Sequence, residues 1–267
     1  METGRLRDGD PSPIVVEKPE GRGRFVIVCD HASNLIPEDY KSFGFPVDAL
    51  QTHIAWDPGA LKVAQHLSAR LDAPLIWPDV SRLIIDCNRA PDARSLIVVE
   101  SEGRKIDANR ALTPAERSRR ITRIHAPYHL AIDARLARRK AARLPTAVVA
   151  IHSFTPVYLG KARPWQVGLV FDHDRRLADN VIRGLKTDPT LNIGINEPYA
   201  PADQVYYTVS RHAGPRGLPA VMIEIRNDEI ADEAGQRAWA DRLAKLLGAA
   251  ESSMAHASHI AGVKLAL

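Results

Sequence analysis

The sequence predicts an α/β fold of three αβα layers built on one mostly parallel mixed sheet. Two observations predict it. Short apolar runs rich in β-branched residues alternate with longer segments of helical spacing, the pattern of strands joined by crossover helices. Four of these runs end in clusters of polar residues, and open α/β sheets collect ligands outside the carboxyl ends of their strands. At 267 residues the chain is near the upper limit for one core, since such folds reach roughly 250 residues without splitting.

The predicted strands are FVIVC (25–29), PLIW (74–77), RLIID (82–86), TAVVAI (146–151), QVGLVF (166–171) and PAVMIEI (219–225), each of the length and composition of a buried strand. Helical patterns fill the spaces between. The first runs from Asp57 to Leu71, with Leu61, Ala64, Leu67 and Leu71 on one face; others span 113 to about 143, 174–185 and 229 to about 249. Thr113-Pro114-Ala115-Glu116 has the capping-box pattern that starts a helix. Pro127 removes a helical donor and clashes with the preceding turn, which predicts a kink or break around His125-Ala-Pro-Tyr-His129. Residues 1–24, rich in Pro, Gly and charge, read as an N-terminal arm, 25–250 as a single domain, and 251–267 as a C-terminal tail.

Composition excludes several classes. Apolar residues at 45% and charged residues at 25% are ordinary for a globular protein and rule out disorder and collagen-like repeats. No apolar run approaches the ~20 residues that cross a bilayer, and the polar start METGRLRDGDPSP lacks a secretory signal. The sequence therefore reads as a cytoplasmic protein without a membrane partner, in which Cys29 and Cys87 are buried and reduced. The net charge of +4 is uneven: residues 104–143 hold 12 basic and 3 acidic side chains. This segment lacks interleaved aromatics or a recognition motif, so a solvated helix face is preferred to a nucleic-acid patch.

The chemistry collects at the strand ends, in Asp30-His31-Ala-Ser-Asn34, Asp86-Cys87-Asn88-Arg89, His152-Ser153 and Glu224-Ile225-Arg226. One histidine after a strand is commonly just a hydrogen-bonded edge residue. His31 and His152 converging with a carboxylate would instead make a three-ligand site with a position open for water, as catalytic zinc requires. Glu224, at the end of an apolar strand, is placed to act as general base, because a carboxylate there is costly without a task or a partner. Its bland alternative is an ion pair with Arg226. Asn88 and Arg89 outline a pocket for a substrate carboxylate, Arg82 is placed to stabilise a developing oxyanion, and Asp86 is a candidate partner for Arg89.

The pieces DHASNLIP, HIAWDPGA, SRLIIDCNR, HAPYH, AIHSF and GLPAVMIEIRND together resemble the N-formylglutamate amidohydrolase family, from about Phe25 to Asp228. The resemblance implies a phosphorylase/hydrolase-like fold akin to zinc carboxypeptidases and one zinc ion. It assigns His31 and His152 as zinc ligands, Asn88 with Arg89 as the carboxylate site and Glu224 as the base. The carboxypeptidase pattern has a glutamate where this chain has Asn34, which leaves the remaining ligand open between Asn34 and Asp57. Asp57, preceding Pro58, is equally suited to cap a helix. His129 and His212 are further candidates for the substrate pocket, whereas His125 is read as structural.

These readings converge on zinc-dependent hydrolysis of the amide bond of N-formylglutamate or a related small acidic N-acyl amino acid. The rivals are a carboxypeptidase-like or peptidoglycan-peptide amidase and, from another class, a noncatalytic protein binding anions or nucleic acid through the basic helix 117–143. Catalysis by Cys29 or Ser153 is disfavoured, because neither sits in a nucleophile elbow.

Overall fold

Alternation along the strands sets the layers. In the computed structural model, which describes residues 12–101 and 103–264, the main sheet has seven strands: β1 (Ile14–Glu17), β2 (Phe25–Val28), β3 (Leu75–Pro78), β4 (Ala147–Phe154), β5 (Val167–Val170), β6 (Ile193–Ile195) and β7 (Ala220–Arg226). Their spatial order is β1-β3-β2-β4-β7-β5-β6. β3, β2, β4 and β7 are mutually parallel, while β1 and the β5–β6 pair run antiparallel to their neighbours β3 and β7. This is the mixed, mostly parallel sheet that the sequence predicts.

Residues such as Ile27, Val149, Leu169 and Ile223 point to one face, where α1 (Ala60–Leu71), α4 (Arg176–Leu185) and α6 (Glu233–Lys264) cover them. Val28, Ala150 and Met222 point to the other, beneath α3 (Ala126–Ala141) and the short α5 (Tyr207–His212). The segment α2 (Pro114–Arg120) leads into α3 through one wider π turn over Ile121–His125. That turn meets the expected break: the added residue per turn accommodates Pro127, which lacks an N–H for the helical ladder. Thr113 caps α2 by accepting from the Glu116 N–H.

Three sequence expectations change. Ile14–Glu17 of the supposed N-terminal arm is an edge strand on β3; residues 1–11 of that arm lie outside the described residues. The run 82–86 is a buried turn rather than a strand. Ser81 Oγ and Arg82 N donate to Ala55 O, and Asp86 N donates to Leu96 O, so the apolar side chains of Leu83, Ile84 and Ile85 report burial without strand pairing. Helix α6 continues past Glu251 through the supposed tail, of which 265–267 lie outside the described residues. Cys29 and Cys87 are buried and unpaired. Among the described residues, no helix is long and apolar enough to cross a membrane.

Candidate active site

The register of the central strands builds the site. On the parallel pair β4–β7, His152 lies opposite Glu224. His152 follows Val148 and Ala150 in the two-residue alternation and Glu224 follows Ala220 and Met222, so both lie on the α3 side of the sheet. His31 arrives just beyond the end of the neighbouring β2. Asp57 comes from the turn that precedes α1. Gly59 caps that helix in the left-handed conformation, with φ of 80°, which leaves the Asp57 carboxylate free of the capping role that its sequence allowed. One ligand atom from each of His31, Asp57 and His152 lies within 4.8 Å of the others, and all three residues are buried.

Hydrogen bonds fix how the imidazoles are presented. His31 Nε2 donates to Asp86 Oδ1 at 2.8 Å, and His152 Nε2 donates to Asp30 Oδ2 at 2.9 Å. With their Nε2 protons assigned to these carboxylates, the neutral imidazoles carry lone pairs on both Nδ1 atoms; a second proton on His152 would sit on Nδ1 and donate to Asp57 Oδ2. Both Nδ1 atoms face Asp57 Oδ2, at 3.4 Å from His31 and 2.9 Å from His152, and His31 Nδ1 has no hydrogen-bond partner. Three electron-rich atoms thus converge at a buried position, which fits a divalent cation with two imidazole ligands and one carboxylate.

Electrostatics follow from burial and pairing. Burial works to raise the Asp30 carboxyl, but the hydrogen bond and charge of His152 outweigh it, with His31 and Thr208 adding to them, and hold it at about 2. Burial lowers His31 to about 4, with Arg82 adding to the effect. For His152, burial is overcome by the Asp30 hydrogen bond and the charges of Glu224 and Asp30, and its pKa rises. Burial also raises Glu224, whose Oε2 is buried without a partner. Arg82 contacts Asp57 Oδ1 through one terminal nitrogen, while its Nε is buried and unpaired. His31, Asp57, Arg82, His152 and Glu224, with Arg89, Tyr158 and Tyr199, line a cavity of about 270 Å³.

The sequence profile of the N-formylglutamate amidohydrolase family matches residues 23–231. The chain belongs to this family. Membership supports amide hydrolysis as the reaction class of the site. This family member is similar to a gene product of Agrobacterium tumefaciens of known crystal structure, with 43% identity and a TM-score of 0.89 over 93% of this chain and 98% of that one. It also shares its fold with an N-formylglutamate amidohydrolase from Ralstonia eutropha JMP134, at 20% identity and a TM-score of 0.68 over 91% of this chain and 98% of that one. No curated protein gives a match to the sequence.

Within this amidohydrolase, the structure separates the sequence candidates. His31, Asp57, Arg82, Arg89, His152 and Glu224 meet in the cavity. Asn34 is not among the cavity-lining residues; its amide donates to Leu50 O at 3.0 Å, whereas Asp57 joins His31 and His152 in the cluster that could hold a metal ion. Asn88 reaches the cavity, but its amide is committed, with Nδ2 donating to Val205 O and Oδ1 accepting from Thr208 N. These bonds brace the loop. His129 and His212 lie behind that loop and not in the cavity. His129 Nε2 donates to Cys87 O, its Nδ1 lies 2.8 Å from His212 Nε2, and His212 Nδ1 faces Asp133 at 2.9 Å. His125, read as structural, donates to Arg89 O at 2.9 Å.

Two cavity residues, and Asp30 behind them, carry no assigned role in the sequence reading. His53 donates to Ser153 O at 2.9 Å and lies 3.3 Å from Asp57 Oδ1; its signal is the i, i+4 spacing of His and Asp inside HIAWDPGA. Asp30 accepts from Tyr128 and Thr208 as well as His152, and its signal is an acidic residue directly after the β2 run. Tyr199 accepts from Arg163 at 3.1 Å and has no motif that would single it out.

Proposed function

We propose that the chain binds one zinc ion through His31 Nδ1, His152 Nδ1 and the Asp57 carboxylate, and hydrolyses N-formylglutamate or a related small acidic N-acyl amino acid to the free acid and amine. The observation that carries this reading is the meeting of those three ligand atoms beside the unpartnered Oε2 of Glu224. A zinc ion supplies Lewis acidity and an acidified water when bound there.

The remaining work belongs to the chain. Glu224 takes a proton as the water oxygen bonds to the amide carbon, then delivers it to the leaving nitrogen as the C–N bond breaks. Its burial among apolar strand residues suits a base that must also act as an acid. The unpaired Arg82 Nε is a donor for the developing oxyanion. Arg89 offers a guanidinium fork for the substrate carboxylate, steadied by Asp86 at 3.6 Å. Asp30 and Asp86 hold the two imidazoles in the ligating tautomer.

The test measures metal content and formate release from N-formylglutamate for wild type, His152→Ala and Glu224→Gln. Wild type should hold one zinc and release formate; His152→Ala should lose both; Glu224→Gln should keep the metal and lose about 10²–10⁴-fold in kcat. Metal-free, active wild type or full activity of Glu224→Gln refutes the mechanism. Hydrolysis of peptides without formate release would transfer the site to the peptidase reading.

A further inference from the structure

The catalytic cavity leaves the basic segment 104–143 unused, and part of it is consumed by the fold. Arg120 is buried and donates to Ile84 O, Asn109 Oδ1 and Glu116. Arg139 is likewise buried and donates to the carbonyls of Gly21, Gly23 and Pro145. Two of the remaining arginines, Arg135 and Arg138, line a second cavity of about 180 Å³ between residues 19–22 and the end of α3, together with Arg22, the already engaged Arg139 and the acidic Glu20. Arg138 pairs with Glu20 at 2.9 Å. Among the described residues, the guanidinium groups of Arg22 and Arg135 have no acceptor, and Arg135 Nε is buried without a partner.

We propose that this cavity is a binding site for a small, multiply charged phosphoryl oxyanion, inorganic phosphate or pyrophosphate, held by Arg22 and Arg135 with Arg138 at the rim. A buried donor without an acceptor is costly, and guanidinium forks match phosphoryl oxygens. The like charges of Arg135, Arg138 and Arg139 repel one another with Glu20 as the single acidic group set against them, and an anion between them relieves the excess; burial and Arg138 push the Arg135 pKa down, and Glu20 opposes them. Complementing the dipole of α3 accounts for basic residues in its last turn. It does not account for Arg135, more than a turn before the end at Ala141, or for Arg22 on a separate segment. The recess has no aromatic lining on which nucleic-acid bases would stack. It lies by the segments that lead into β2 and β4, whereas His31 and His152 lie at the opposite ends of those strands. Occupancy therefore does not compete with the substrate.

The test follows thermal unfolding of the full chain, with chelator present so that no active-site metal takes up the anion, at ionic strength held constant with sodium chloride. Phosphate, pyrophosphate and the dicarboxylate glutarate are added separately. At about a hundredfold excess over Kd, phosphate or pyrophosphate should raise Tm by about 5 °C or more, with glutarate giving less. The shift should vanish in Arg22→Gln/Arg135→Gln and persist in Arg89→Gln. Because Arg22 is exposed, Arg22→Gln alone serves if the double variant does not fold, and it should weaken binding about tenfold. No shift in wild type, a shift that survives the Arg22 and Arg135 changes, or one given by glutarate alone overturns the proposal.

Discussion

Replacing Asp30 by asparagine tests whether the carboxylates behind the imidazoles control metal binding. Three donors converge on Asp30: His152 Nε2 on Oδ2, and Tyr128 OH and Thr208 Oγ1 both on Oδ1. An asparagine has one acceptor oxygen and one donor NH2. Turning the oxygen to the two hydroxyls satisfies both, leaves the side chain isosteric, and points the NH2 at His152 Nε2. That nitrogen must then accept, so the imidazole proton moves to Nδ1, the atom needed for the metal. Folding of the metal-free protein should change by less than about 1 kcal/mol, since only one net hydrogen bond is rearranged. Metal affinity should fall about 10–100-fold, the usual cost of losing such a partner, or about 1.4–2.7 kcal/mol. Competition for zinc against a chromophoric chelator reads the affinity, and urea unfolding of the metal-free proteins reads the stability. Unchanged zinc affinity, or a loss of metal-free stability as large as the loss of affinity, refutes the argument.

Three further outcomes are expected. His125→Ala frees the Arg89 carbonyl and should raise KM for an acidic substrate severalfold while changing kcat little; an unchanged KM shows that the loop does not depend on this bond. Glu116→Gln removes a carboxyl that Arg119, Tyr40 and Arg120 hold at about 2 against burial. Because that folded value lies below the ordinary 4.5, its stabilisation is present above pH 4.5 and is lost as pH falls towards 2. The variant should lose about 1–2 kcal/mol at neutral pH, after discounting for its partial exposure, and should show a flatter acid limb in stability measured against pH. Gly59→Ala places a Cβ 2.4 Å from Ile230 O at a φ of +80° and should cost at least about 1–2 kcal/mol, read as a lower urea midpoint, with weaker zinc binding through the displaced Asp57.

What the sequence made legible was whatever a local pattern encodes. The strands that carry His152 and Glu224, and the one that leads to His31, stand out as apolar runs, and their polar ends are conspicuous because buried strands rarely finish in ionisable groups. The run 82–86 shows the limit of that signal. Leu83, Ile84 and Ile85 are as apolar as any strand, yet hydrophobicity reports only burial, and the pairing that separates strand from turn depends on distant partners such as Ala55 and Leu96. The same holds for polar residues with two possible tasks. Asp57 reads equally well as helix cap or ligand until Gly59 takes the cap, and Asn88 looks like a substrate donor until Val205 and Thr208 occupy both ends of its amide.

His129 and His212 carry this point furthest. Both have the composition of pocket residues, and both are spent on each other, on Cys87 O and on Asp133. Burial together with His125 and His212 drives His129 down to about 2, and burial takes His212 to about 4 despite Asp133, so neither offers the charge that an acidic substrate would seek. Their contribution runs through the backbone: His129 holds the carbonyl of Cys87 and His125 that of Arg89, on either side of Asn88. The loop that supplies Asp86 to His31 and Arg89 to the cavity is thus pinned from the α3 side by imidazoles that do not line the cavity. A histidine in a motif therefore marks a site only after its hydrogen bonds have been counted, and those bonds belong to the tertiary structure.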